Sequence, residues 1–253
     1  MKKDVRLVAG SLPRVALITG AARRIGAAIA EQLHRAGFNV VIHCHRSTRE
    51  AHALAQVLNE TRCGSARVLV ADLTQQSTAV DLVAQAIDWQ GRLDLLVNNA
   101  SVFIRTPLPG LHEEAWDTMW LTHVKAPFWL SNAAYSALAK QEGSIINITD
   151  IHAERPLKDY GLYCQTKAAL KMQTEVLACE YAPRVRVNAV APGAIAWPEH
   201  KNTLNVEQQA AILAKTPLKR HGDPRWVAHA VLLLAENAFI TGQTVRVDGG
   251  RSI

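Results

Sequence analysis

Short runs rich in Val, Ile and Leu alternate with longer stretches of helical periodicity along this chain, and that alternation admits few folds. RVALITG is followed at once by AARRIGAAIAEQLHRAG, whose apolar positions recur at helical spacing and stop at Gly37. The same strand-then-helix unit returns as FNVVIH with STREAHALAQVLNE, where Ser47 is a candidate N-cap with Glu50 three residues on. It returns again as SARVLVADL with TQQSTAVDLVAQAIDWQG, and as RLDLLVNNA with one long helix region, LHEEAWDTMWLTHVKAPFWLSNAAYSALAKQ, beyond the Pro-rich loop SVFIRTPLPG. GSIINITD precedes a helix from Tyr160 to Tyr181, and RVRVNAVAPG, two further helices and QTVRVDGG complete the series. Strands joined through helices lie parallel with right-handed crossovers. The expected fold is therefore α/β, a single-domain doubly wound parallel sheet of about seven strands with helices on both faces. It spans residues 13–253, with residues 1–12 as a flexible tail. In such a sheet, ligands bind beyond the C-terminal ends of the strands.

Composition excludes several classes. Apolar residues make up 49% of the chain and charged residues 20%, yet no apolar run approaches the length of a membrane span. The N-terminus has too short an apolar stretch for a secretory signal, so a cytoplasmic protein without a membrane partner is expected. Cys44, Cys63, Cys164 and Cys179 are widely spaced and form no C-x-x-C pair, which points to free thiols rather than a zinc site or a disulfide framework. The net charge of +6 is carried by residues 1–50, where nine Lys or Arg face Asp4, Glu31 and Glu50, and the remainder is balanced. Several of those arginines fall at strand-to-helix turns. A phosphorylated small molecule matches that placement better than a nucleic acid.

Four stretches carry chemistry. Thr19 to Gly26 lies between the first strand and the first helix, where backbone N–H groups and the helix dipole favour a pyrophosphate, although an ordinary β–α turn also uses such residues. His43-Cys44-His45-Arg46-Ser47 closes the second strand. There an acid would accept from an adenosine ribose hydroxyl; a guanidinium and a hydroxyl at a helix start suit a 2′-phosphate instead, and so NADP(H). Asn98-Asn99-Ala100-Ser101 ends the fourth strand with short polar side chains able to hold a cofactor, or simply to turn. Asp150 ends the fifth strand, and Tyr163 and Lys167 follow four residues apart on one helix face. A cation close to the phenol would lower its pKa toward a useful range, making a proton-delivery unit, whereas a surface Tyr and Lys would share the same spacing.

Together with Asp72, Ala191-Pro192-Gly193 and Asp248-Gly249-Gly250, these motifs resemble the short-chain dehydrogenase/reductase family over nearly the whole length. The resemblance implies Rossmann-type architecture, NAD(P)-linked hydride transfer and a homotetramer. Three positions depart from the general pattern: Arg24 replaces the middle glycine of the turn, Asp150 replaces a Ser, and His123 replaces a helix Asn. The first two, with His45-Arg46-Ser47, resemble the pteridine reductases, and His123 resembles the dihydromonapterin reductases.

Carried onto this chain, the resemblance implies Asp150, Tyr163 and Lys167 as catalytic residues. NADPH would be held by Gly20, Arg23, Arg24, Ile25, His45, Arg46, Ser47, Asp72, Leu73, Asn99, Ala100, Ser101, Tyr163, Lys167, Pro192 and Gly193. The pterin or folate substrate would meet Arg24, Ser101, Phe103, Asp150, Tyr163 and Trp197, with no metal involved. The acid at the Ser position has a physical reading. A carboxylate beside a developing alkoxide repels it, whereas an Asp-Tyr couple can protonate an imine nitrogen. Reduction of a dihydropterin C=N bond is thus expected, with a carbonyl reductase such as a 3-oxoacyl carrier-protein reductase, or a non-catalytic NADP(H) sensor, as alternatives.

Overall fold

The computed structural model describes residues 13–108, 110–197 and 203–253. The expected tail lies outside these residues, as does part of the loop after Trp197. Seven strands form one parallel sheet in the order β3-β2-β1-β4-β5-β6-β7. They are β1 (Val15–Ile18), β2 (Asn39–Cys44), β3 (Ala66–Val70), β4 (Leu95–Asn98), β5 (Ser144–Ile148), β6 (Arg186–Pro192) and β7 (Thr244–Val247). The helices are α1 (Arg24–Arg35), α2 (Thr48–Thr61), α3 (Gln76–Gln90), α4 (Glu113–Trp120), α5 (Ala126–Lys140), α6 (Gly161–Tyr181), α7 (Val206–Ala214) and α8 (Pro224–Glu236). The expected doubly wound Rossmann-type sheet is therefore the one observed.

Its strands read as continuous apolar runs because both faces are covered, and the two-residue period still sorts them. Ala16, Ile18, Val40, Ile42 and Val97 pack toward α1 and α8, whose Ile29, Leu33, Val227 and Val231 are fully buried. Val15, Leu17, Val41, Leu96 and Ile145 face the opposite way, toward Leu82 of α3, Leu130 of α5 and Leu177 of α6. Each fully buried Leu or Ile contributes roughly 1.5–3 kcal/mol from area removed from water. β1 pairs with β2 on one side and β4 on the other, so the chain reverses its winding there and a crevice opens beyond the strand ends.

Two local expectations are corrected. Ser47 does occupy the position before α2, but its ψ of 53° is far from the extended value that aims a cap oxygen at the helix, and its side chain makes no capping bond with or without Glu50. The long helix expected after the Pro-rich loop is interrupted by a π-turn at Leu121–Lys125 between α4 and α5. Pro127 supplies the cause: it has no N–H for a bond to the His123 carbonyl, and its ring would crowd that oxygen. The turn opens to a wider bond, from the Ala126 N–H to the Leu121 carbonyl.

Candidate active site

A cleft of about 930 Å³ lies beyond the C-terminal ends of the strands. Every residue singled out from the sequence for catalysis, cofactor or substrate lines it. One wall is the turn between β1 and α1. Gly20 adopts φ +61°, and a Cβ on Gly26 would meet the Gly20 carbonyl oxygen at 2.3 Å, so only glycine lets the turn close this tightly. The Asn99 Nδ2 donates to the carbonyls of Thr19 and Gly20 at 2.9 and 3.0 Å. Thr19 Oγ1 accepts from the Asn99 and Ala100 N–H groups at 2.9 and 3.0 Å. His43 closes the other side of the turn: the Gly20 N–H donates to Nδ1 at 3.2 Å, which leaves Nε2 to donate to Ala71 O at 3.1 Å. Burial lowers the His43 pKa to about 4, so the ring is neutral and this tautomer persists.

These bonds revise one reading of the fourth strand's end. Asn98 is buried on the sheet face covered by α5 and α6, where its Nδ2 donates to Asn147 Oδ1 at 2.8 Å, and Asn99 commits its amide to the turn. Only Ser101 of the polar residues there reaches the cleft with its side chain while binding neither strand nor turn.

The wall at the end of β2 carries His45, Arg46 and Ser47 and no acid within that motif. The nearby Asp72 is occupied by Thr74, whose N–H and hydroxyl donate to Oδ1 at 3.0 and 2.9 Å and lower the carboxyl's pKa. Arg23 forms the N-cap of α1, and no acid occupies the first turn of that helix. This donor set fits a dinucleotide phosphate with a further phosphate on its ribose.

Arg24, at the first position of α1, has φ +55°, a left-handed value that costs a side chain roughly 1 kcal/mol relative to glycine. Its guanidinium donates to the Ala196 and Trp197 carbonyls, both at 2.9 Å, and so ties the turn to the loop after β6. Trp197 packs against His221 with ring centres 4.3 Å apart and the rings tilted by 33°. The Pro192-Gly193 segment is held from β7 and the chain end. Gly193 N–H donates to Val247 O, and Asp248 accepts from the Gly250 and Ser252 N–H groups.

The opposite wall carries the ionisable groups. The Tyr163 hydroxyl donates to Asp150 Oδ2 at 2.8 Å, and the Lys167 ammonium donates to the Ile148 carbonyl at 3.0 Å. Asp150 Oδ1 accepts from the His152 N–H, which fixes the carboxylate's direction. Burial, then the Asp150 charge, hold the Tyr163 phenol well above its ordinary pKa. This reverses the direction expected from Tyr-Lys spacing alone. The Lys167 nitrogen lies 5.7 Å from the Tyr163 ring centre, while the carboxylate accepts the phenol proton directly and stabilises the neutral form. Burial lowers Lys167 to about 8, opposed by the Asp150 charge. Phe103 lies between Tyr160, stacked at 4.3 Å, and Tyr163, edge-on at 4.8 Å.

Sequence reading missed three residues of this cleft. Tyr160 had no motif, and the position of His43 inside a strand gave no sign of its turn bond. Arg251 lies near the chain end, yet its half-buried guanidinium reaches the cleft and interacts electrostatically with Asp150. Among the described residues no group of metal-ligating side chains is found, and no described helix is long and apolar enough to cross a membrane. All four cysteines are free.

A family model described as enoyl-(acyl carrier protein) reductase matches residues 20–252. Pteridine reductase 1 of Leishmania tarentolae is 34% identical, over 94% of this chain and 96% of its own length. The 3-oxoacyl-[acyl-carrier-protein] reductase FabG of Vibrio cholerae is 36% identical over 94% and 96%. Among solved structures, FolM alternative dihydrofolate reductase 1 of Brucella canis, complexed with NADP, superimposes with a TM-score of 0.85 at 38% identity over 94% of both chains.

Proposed function

The chain belongs to the short-chain dehydrogenase/reductase family, and from that premise we propose that it is an NADPH-dependent pteridine reductase, reducing the C=N bond of a dihydropterin or dihydrofolate. As a member of that family it is an NADP-dependent oxidoreductase. The observation that carries the finer reading is the 2.8 Å bond from the Tyr163 hydroxyl to Asp150, a carboxylate where a carbonyl reductase needs a neutral donor.

When bound, NADPH supplies a hydride. The α1 N-terminus with Arg23 would hold its pyrophosphate, Arg46 and Ser47 its ribose phosphate, and Lys167 its nicotinamide ribose. Tyr163 and Asp150 form a coupled acid. Because its pKa is raised, the phenol keeps its proton through neutral pH and can give it to a ring nitrogen as the adjacent carbon gains the hydride. The product is CH–NH, and solvent water reaching Asp150 at the cleft restores the proton. Phe103 offers an aromatic face to a flat heterocycle once Tyr160 yields. Trp197 lines the cleft on the loop segment that Arg24 holds, placed to meet the substrate.

The deciding experiment measures NADPH oxidation with dihydrobiopterin, dihydromonapterin, dihydrofolate and an acetoacetyl thioester. Turnover of pterins supports the proposal, and turnover of the thioester alone replaces it with a carbonyl reductase. Tight NADPH binding without turnover of any of these, unchanged in Tyr163→Phe, would make the protein a sensor. A homotetramer is part of the proposal. Exposed apolar side chains on α5 and α6 (Phe128, Met172, Val176) and on and after α8 (Trp226, Leu233, Phe239) give two separate faces, as two dyads require. Light scattering in solution tests it.

A further inference from the structure

His123 stands where the family pattern has Asn, on the π-turn before α5, and it is buried with 1% of its surface exposed. Its ring joins three segments. The Val102 N–H donates to Nε2 at 3.1 Å, and Ser101 Oγ lies 2.9 Å from the same nitrogen. On the other edge, Nδ1 lies 2.8 Å from Thr166 Oγ1 on the catalytic helix α6.

A backbone N–H can only donate, so Nε2 carries no proton and Nδ1 carries the one of the neutral ring. Nδ1 therefore donates to Thr166 Oγ1. That hydroxyl sends its own proton to the Tyr163 carbonyl at 2.9 Å, which agrees with the same assignment. Burial, then the Lys167 charge, hold the ring pKa well below its usual value, so the neutral form is kept. With Nε2 an acceptor, the Ser101 hydroxyl can only be the donor in this contact, sharing the single ring lone pair with the Val102 N–H. The Ser101 proton is directed inward, and only oxygen lone pairs face the cleft that Ser101 lines.

We propose that His123 is a positioning residue that fixes the polarity of Ser101, making its oxygen an acceptor that reads an N–H donor on the bound ligand. Such a donor exists in two places: the carboxamide of a nicotinamide and the exocyclic amine of an aminoheterocyclic substrate. The inference rests on the functional reading above for what enters the cleft. It goes beyond that reading by giving His123 a task other than the one its Asn counterpart serves, and by giving Ser101 a direction. An asparagine at this position could not copy the arrangement: its amide is shorter than the imidazole, which spans from Nε2 to Nδ1 between the Ser101 loop and α6.

Two pairs of probes distinguish the sources. Equilibrium binding compares NADPH with its 3-acetylpyridine analogue, which lacks the carboxamide N–H. Steady-state kinetics compare a dihydropterin with its N2,N2-dimethyl derivative. Wild type should prefer the N–H-bearing member of one pair by about tenfold, the scale of one buried hydrogen bond. Ser101→Ala and His123→Asn should each bring that preference to within about twofold. In the double variant no further loss should appear, because the two act through one bond. Side-chain ¹⁵N spectra of wild type should show His123 protonated at Nδ1, a readout independent of activity and of variant folding. A proton on Nε2, a preference retained in Ser101→Ala, or no preference in either pair would overturn the proposal. Failure of wild type to bind NADPH at all would instead overturn the functional reading.

Discussion

On the β1 side of the cleft the polar side chains bond backbone groups of a turn, whereas on the β5 side titratable side chains bond one another and nearby backbone while lining the cleft. Thr19, Asn99 and His43 direct their side chains at backbone groups and shape a turn whose outward surface is N–H and helix dipole. Asp150, Tyr163, Lys167 and Arg251 put charged or titratable groups into the cleft, with burial and mutual interaction shifting the last three. The first wall behaves as a preformed mould, the second as a set of reactive groups. A binding site is preorganised by hydrogen bonds already made, and a catalytic site needs protons that can still move.

That division has measurable consequences, the largest at Tyr163. Tyr163→Phe should lower kcat by a factor of roughly 10²–10⁴, the usual worth of a general acid, with NADPH affinity nearly unchanged by fluorescence titration. An equal fall in NADPH affinity would erase the distinction between the walls.

The mould should fail in acid. Because the folded His43 pKa is depressed to about 4, the unfolded chain binds more protons between that value and the ordinary histidine pKa near 6.5. Stability is therefore lost as pH falls through this window, by about 3 kcal/mol for this one ring. Urea midpoints from pH 7 to pH 4 should show a shallower loss in His43→Gln, whose amide can still accept and donate. Identical slopes would remove His43 from the account.

Asn99→Ala leaves the Thr19 and Gly20 carbonyls without their side-chain donor and should cost about 2 kcal/mol of stability by urea denaturation. It should also weaken NADPH binding while leaving kcat at saturation within a few-fold. The smallest effect is expected where the walls meet. Arg24→Gly removes left-handed strain worth about 1 kcal/mol but also two exposed bonds to the Ala196 and Trp197 carbonyls, so the two offset and melts should shift by less than about 1 kcal/mol. The same change frees the Trp197 segment and should raise substrate KM.

How much was legible in advance differs between these walls. The turn, Arg46 and Ser47, and the Asp150, Tyr163 and Lys167 set all stand at or near strand ends on the cleft, and strand ends are readable from local pattern. Tyr160 and Arg251 were not, because nothing in their own segments marks them and only packing brings them to the cleft. The π-turn did have a signal, Pro127 within a helical pattern, and its consequence for His123 depends on which carbonyl the missing N–H would have met.

The sequence by itself pointed to the doubly wound sheet, since strand and helix periods alternate along the chain and each helix can cover a sheet face. It also marked the strand ends whose residues line the cleft. Tertiary structure alone decided the direction of the Tyr163 pKa, the tautomers of His43 and His123, and the inward commitment of the Ser101 proton. Each of these depends on distances of about 3 Å between segments far apart in sequence, and on how much water burial removes from around them. Spacing along a helix brings Lys167 and Tyr163 to one face, but the carboxylate that accepts the phenol proton comes from a different strand end.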